Sequence, residues 1–128
     1  MADLSKCRTG NWLRYISENQ YCTYIAKDKY VTVEMYNGQR ELFEDDLTFI
    51  RLTTHFMSVC KFIRNGPDWR KEVAGKILSV SFSEDRAYLA ADGGIPELVG
   101  HLHTLQNRYF DLTGEHLKPN IYGIHDPG

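Results

Sequence analysis

The chain has 128 residues, is 42% hydrophobic and 25% charged, and carries a formal net charge of −2, proportions of a folded globular protein and not of a disordered one. That charge balance, with no dense Lys/Arg run, speaks against a broad basic footprint for duplex nucleic acid. No stretch reaches the roughly 18 apolar residues of a membrane helix, and "MADLSKCRTG" holds no hydrophobic signal core, so a cytoplasmic protein with no membrane partner is expected.

Cys7, Cys22 and Cys60 are widely spaced and form no CxxC pair. Neither a disulfide framework nor a zinc site follows from them, and no cofactor is expected.

Residues 1–9 are polar and unpatterned and read as a loose lead-in. From Gly10 to Leu52 the pattern is one of short strands: "NWLRYIS" (11–17), "QYCTYIA" (20–26) and "KYVTVEMY" (29–36) are rich in aromatic and β-branched residues. In the third, Val31, Val33 and Met35 alternate with Thr32 and Glu34, the period of a half-buried strand. Asn37-Gly38 is a hairpin signal that, as a two-residue loop, sets Val33 opposite Leu42. "LTFIRL" (47–52) supplies a further strand, and the whole predicts a small curled antiparallel sheet of the SH3-like barrel kind.

At Thr53 the period changes. Phe56, Val59, Cys60 and Ile63 fall on one helical face, so "THFMSVCKFI" predicts a helix capped by Thr53 or Thr54. Gly66-Pro67 ends it, and residues 64–76 read as a loop bearing Trp69. "KILSVSF" (76–82) and "RAYLAA" (86–91) form a second hairpin. Ile95-Pro96 opens the last helix, with Leu98, Leu102, Leu105, Tyr109 and Leu112 as its buried stripe and Gly114 as its left-handed stop. The expected fold is therefore α+β: one domain over 10–117, with a barrel-like part (10–52) and a helix–hairpin–helix part (53–117), then a tail over 118–128.

The last helix carries the densest polar chemistry. On a helix His101 and His103 project about 200° apart and so share no ligand. His103 and Asn107, four apart, have no carboxylate or thiolate with them, which undersupplies zinc. His103, Gln106 and Asn107 are read as a polar lock, using their donors and acceptors to satisfy strand-edge groups beneath the helix.

The segment "HTLQNRYFDLTGEHL" resembles the C-terminal signature of a family of small uncharacterised proteins of bacterial and phage genomes, approximately H-x-L-Q-N-L-Y-F-x-L-T-G-x-E-L. His103, Leu105, Gln106, Asn107, Tyr109, Phe110, Leu112, Thr113, Gly114 and Leu117 match, whereas Arg108 replaces an apolar residue and His116 a glutamate. "GNWLRY" (10–15) and "FIRLT" (49–53) resemble the family's opening and its strand-to-helix junction. The resemblance implies the layout above and a phage or mobile-element setting, and brings no activity with it.

Catalytic readings are weak. Cys60 lies on the apolar face of its helix, five residues from His55, a spacing poor for an activated thiolate. "EDD" (44–46) and "ED" (84–85) fall at turns, and "ADGGIP" lacks the spacing and lysine of a phosphate loop. The protein is read as not an enzyme, with a metal-independent hydrolase as the remote alternative.

Two surfaces remain. Trp69 and Arg70, in "GPDWRKE", have the composition of a binding anchor, although Trp69 equally fits a side chain folded back over the sheet. Tyr36 and Arg40 are the matching exposed pair on the first sheet. Tyr21, Tyr24, Tyr30 and Tyr36, interleaved with Arg14, Lys27, Lys29 and Arg40, offer a second reading as a single-strand nucleic-acid platform, opposed by the acidic "ELFEDD" run. The leading expectation is a protein-interaction module, phage or mobile-element encoded, whose partner is a host or rival protein; its edge strands also admit a homo-oligomer.

Overall fold

The computed structural model describes residues 3–119 and 121. Its class is α+β, with two five-stranded antiparallel sheets and two α-helices. No helix among the described residues is long and apolar enough to cross a membrane. The chain divides into two compact units, one running through Ile50 and taking in Ile121, the other Arg51–Pro119. The division falls close to the expected junction of the two parts, 10–52 and 53–117. Pro119 and Ile121 are buried, so they are not part of a solvated tail; the rest of 120–128 lies outside the described residues.

The first unit holds β1 (Trp12–Tyr15), β2 (Gln20–Lys27), β3 (Val31–Met35), β4 (Gly38–Leu42) and β5 (Leu47–Phe49), in the order β4-β3-β2-β1-β5. Alternation along the strands puts Leu13, Cys22, Val31, Val33, Met35, Leu42 and Leu47 in one buried cluster, the inward half of a period-two pattern. Leu4, 1% exposed, joins this cluster from a 3-10 turn at Leu4–Lys6, so the lead-in is anchored and not loose. Asp3 holds that turn by accepting the Ser5 N–H.

Two expectations are corrected here. The β3–β4 loop is centred on Tyr36-Asn37, with Gly38 (φ +119°) already paired to Met35, so Leu42 faces Val31 and Arg40 faces Val33. Gly38 takes the unusual backbone angle at the first position of the returning strand, which moves the register by two residues relative to an Asn-Gly loop. The barrel is also not shown, because β4 and β5 are the ends of the pairing order. The chain between them is a 3-10 turn at Glu44–Asp46, where the Asp46 carboxylate accepts the Phe43 N–H at 3.0 Å.

The second unit is a meander of β6 (Ile63–Asn65), β7 (Asp68–Val73), β8 (Lys76–Ser83), β9 (Arg86–Ala91) and β10 (Glu97–Leu98), with α1 (His55–Val59) before it and α2 (Leu102–Thr113) after it. One sheet face carries Leu78, Val80, Ala87 and Leu89, all at most 1% exposed. The apolar stripe of α2 (Leu102, Leu105, Tyr109) is buried to the same degree, at 3% or less. Lys71 of β7 lies with its Nζ 5.0 Å from the Tyr109 ring, which places α2 over this face.

The sequence reading of this unit needs three corrections. Residues 64–76 are not a loop: Gly66 (φ +63°) and Pro67 make a two-residue turn joining β6 to β7, so Trp69 stands on a strand. Helix α1 is shorter than predicted. Lys61, at φ +68°, ends it, turning Phe62 inward and leaving Ile63 75% exposed on β6. Finally, α2 begins at Leu102 and not at Pro96. Glu97–Leu98 pair with β9, Gly100 interposes a poor helix former, and Leu98 is 57% exposed instead of joining the stripe.

Candidate functional site

His103 and Gln106 point into the second unit from α2 and are 8% and 6% exposed. Gln106 donates its Nε2 proton to the Leu117 carbonyl at 3.1 Å. The amide thus ties the helix to the segment that follows it. Asn107 is half-buried on the same helix. His101 is not helical: at φ −129° and ψ 155° it is the extended residue before α2. From there its ring stacks on that of His103, 5.6 Å between centroids and 20° from parallel, in place of the divergent pair predicted for a helix. Burial, and then the neighbouring His101, push His103 down to about 4 from an ordinary 6.5. No group of three His, Cys, Asp or Glu side chains among the described residues is placed to hold a metal ion.

Burial likewise pushes the Cys7 thiol up to about 11 and the Cys22 and Cys60 thiols up to about 12. All three stay protonated at neutral pH, where the thiol is a poor nucleophile.

The tyrosines of the first sheet do not form one platform. Tyr21 is 1% exposed, and Tyr21 and Tyr24, three residues apart on one strand, lie on opposite faces. Tyr36 is 60% exposed at the tip of the β3–β4 turn. Arg40 is engaged inside its own unit: it donates to Glu18 at 2.6 Å, and its guanidinium carbon sits 5.1 Å from the centroid of the Tyr15 ring.

Trp69 and Arg70 are separated by the same pleat rule. Trp69 pairs across the sheet with Val80 and Arg64, on the face that α2 covers, and is half-buried with the Arg64 guanidinium 5.9 Å from its ring. Arg70 points the other way. It is exposed on the open face, opposite Ile63 and Ser79, and has no ion-pair partner among the described residues. On that face Ile63, Ile77 and Leu98 are 75%, 48% and 57% exposed, an aliphatic surface with an arginine in it.

The open face runs into a concavity of about 580 Å³ at the β6 edge, lined by Ile63, Arg70 and Ile77 from this face and by Lys61, Arg64 and Lys71 around it. Sequence reasoning found Arg70 and missed the others. The signal was there in the "KFIRNGPDWRK" stretch, once Gly66-Pro67 is taken as a hairpin turn with glycine first, instead of a helix stop leading into a loop.

No protein-family model, curated protein or solved structure matches this chain.

Proposed function

We propose that this protein is a non-enzymatic interaction module that binds another protein through the open face of its second sheet, around Arg70. The observation that carries this reading is the exposure of Ile63 and Ile77 beside an arginine with no ion-pair partner among the described residues, on a sheet face that also exposes Leu98 at its far end strand. Aliphatic area released from water supplies the affinity, and a planar cation with five donors supplies the orientation. Trp69 leaves the set of contact residues, since it faces α2, and Arg40 leaves it, since Glu18 and Tyr15 hold it. Tyr36 stays as a separate exposed contact on the first unit, whose curled sheet we read as an SH3-like arrangement left open between β4 and β5. The resemblance of the 103–117 segment to bacterial and phage proteins supports a partner from a host or rival system, met in the cytoplasm.

A photo-crosslinking residue tests this reading. Placed at Ile77 in cells of the native host, it is expected to trap one partner in stoichiometric yield, and the adduct is expected to vanish when Arg70→Glu is added. The same group at Gln39, on the first unit, is expected to trap none. Equal labelling from both positions, or an adduct indifferent to Arg70→Glu, overturns the proposal.

A further inference from the structure

β6 is the end strand of its sheet, and Ile63, Arg64 and Asn65 are all exposed. Its three residues pair with Arg70, Trp69 and Asp68 of β7. In a two-residue hairpin the pair that closes the loop, here Asn65 and Asp68, exchanges its backbone bonds, and the next pair does not. The N–H and C=O of Arg64 therefore turn outward, toward the open edge. An edge of this kind accepts an added strand unless charge or cover prevents it.

Charge selects what is added. Four of the chain's fifteen Lys and Arg residues line this one concavity, with Glu72 the single carboxylate among them, on a chain whose net charge is −2. Two of the four are held in place: Arg64 donates its Nε proton to the Gly66 carbonyl at 3.2 Å, and Lys71 donates to the Cys60 carbonyl at 3.1 Å. Lys61 and Arg70 have no ion-pair partner among the described residues. A second copy of this edge would bring like charges together, which costs affinity. Exposed Ile63 and Ile77 flank Arg70 on one face of the sheet and Arg64 lies on the other, so an alternating chain meets aliphatic side chains and Arg70 with one half of its residues and Arg64 with the other.

We infer that the β6 edge captures an extended acidic segment of the partner as a sixth strand of the sheet, with Arg64 bonding its backbone and Lys61, Arg64 and Arg70 neutralising its carboxylates. This rests on the interaction reading above and names its chemistry. Strand addition draws affinity from the main chain and specificity from alternate side chains, which suits a strand as short as β6. A peptide fits better than a nucleic-acid strand: the apolar lining is aliphatic, offering no ring for base stacking, and Glu72 repels phosphate.

Fluorescence anisotropy with defined probes on the full chain is the test. The probes are a short blocked peptide alternating Glu with Val, its Lys-for-Glu analogue, the Glu/Val peptide N-methylated at alternate residues in either register, and an oligothymidylate. The Glu/Val peptide is expected to bind and the Lys analogue not to. One methylation register is expected to abolish binding while the other is tolerated, and Arg64→Glu or Arg70→Glu is expected to weaken it by about tenfold or more. Circular dichroism on each variant checks that it is folded. Binding that ignores both methylation registers, preference for the oligothymidylate, or no binding of the Glu/Val peptide overturns the inference. If crosslinking from Ile77 succeeds while these peptides fail, the sheet face remains an interface and only the acidic-strand assignment falls.

Discussion

The rings of His101 and His103 are stacked, 20° from parallel, because one residue is extended and the other helical. Two residues apart on a continuous helix they would diverge. The change of backbone at Leu102 brings them to one side, and burial of His103 then makes its protonated form costly.

This pair sets the behaviour in acid. His103 is lowered to about 4 in the folded protein and returns to about 6.5 when unfolded. Between those values the unfolded chain takes up a proton that the folded chain refuses. The stability contribution is therefore complete above pH 6.5 and lost as pH falls toward 4, by up to about 3 kcal/mol. Urea midpoints measured at a series of pH values should fall across this window, and more steeply than those of His103→Gln, which has no proton to take up. Parallel curves would refute the assignment.

Gln106 is expected to matter through the group it serves. Gln106→Leu keeps the apolar packing and leaves the buried Leu117 carbonyl without its donor, a loss of about 1–3 kcal/mol. Equilibrium unfolding measures this directly, and a neutral result would mean that the segment after α2 satisfies that carbonyl in another way.

Arg108 grips Glu97 with two nitrogens, at 2.9 and 3.2 Å, and lies 3.5 Å from Asp111. This ties α2 to the short edge strand β10. Both partners are partly solvated, so a double-mutant cycle on Arg108→Ala and Glu97→Ala should give a coupling of about 1 kcal/mol or less, weakened by salt.

Ala74 occupies the β7–β8 turn at φ +52°, a left-handed conformation that costs an L-residue about 1 kcal/mol. Ala74→Gly should raise the thermal midpoint despite the greater chain entropy of glycine, for a net gain of about 0.5 kcal/mol. A lower midpoint would show that the Ala74 methyl group makes contacts outweighing the strain.

Much of the fold was legible in local pattern. The alternation of Val31, Val33 and Met35, the β8–β9 hairpin and the Gly114 stop all appear where the sequence places them, because period-two burial and left-handed glycine are properties of a few neighbouring residues. The errors fall where a local pattern had two solutions. Leu98 is four residues before Leu102 and so fits the helical stripe, yet an edge pairing with β9 claims it. Gly66-Pro67 stops a helix and also closes a hairpin, and only the presence of β8 as a template decides that residues 68–73 extend.

The surface shows the same division. Composition and spacing single out Arg70 as a candidate contact residue, since that judgement needs only residue types and intervals. Sequence alone also determined that adjacent residues on a strand face apart. It left unsettled whether 69 and 70 lie on a strand at all, because strand identity there comes from hydrogen bonds to partners distant along the chain. Tertiary pairing therefore decided that Trp69 turns toward α2 while Arg70 meets solvent, and that four cations separated by up to ten positions line one cleft.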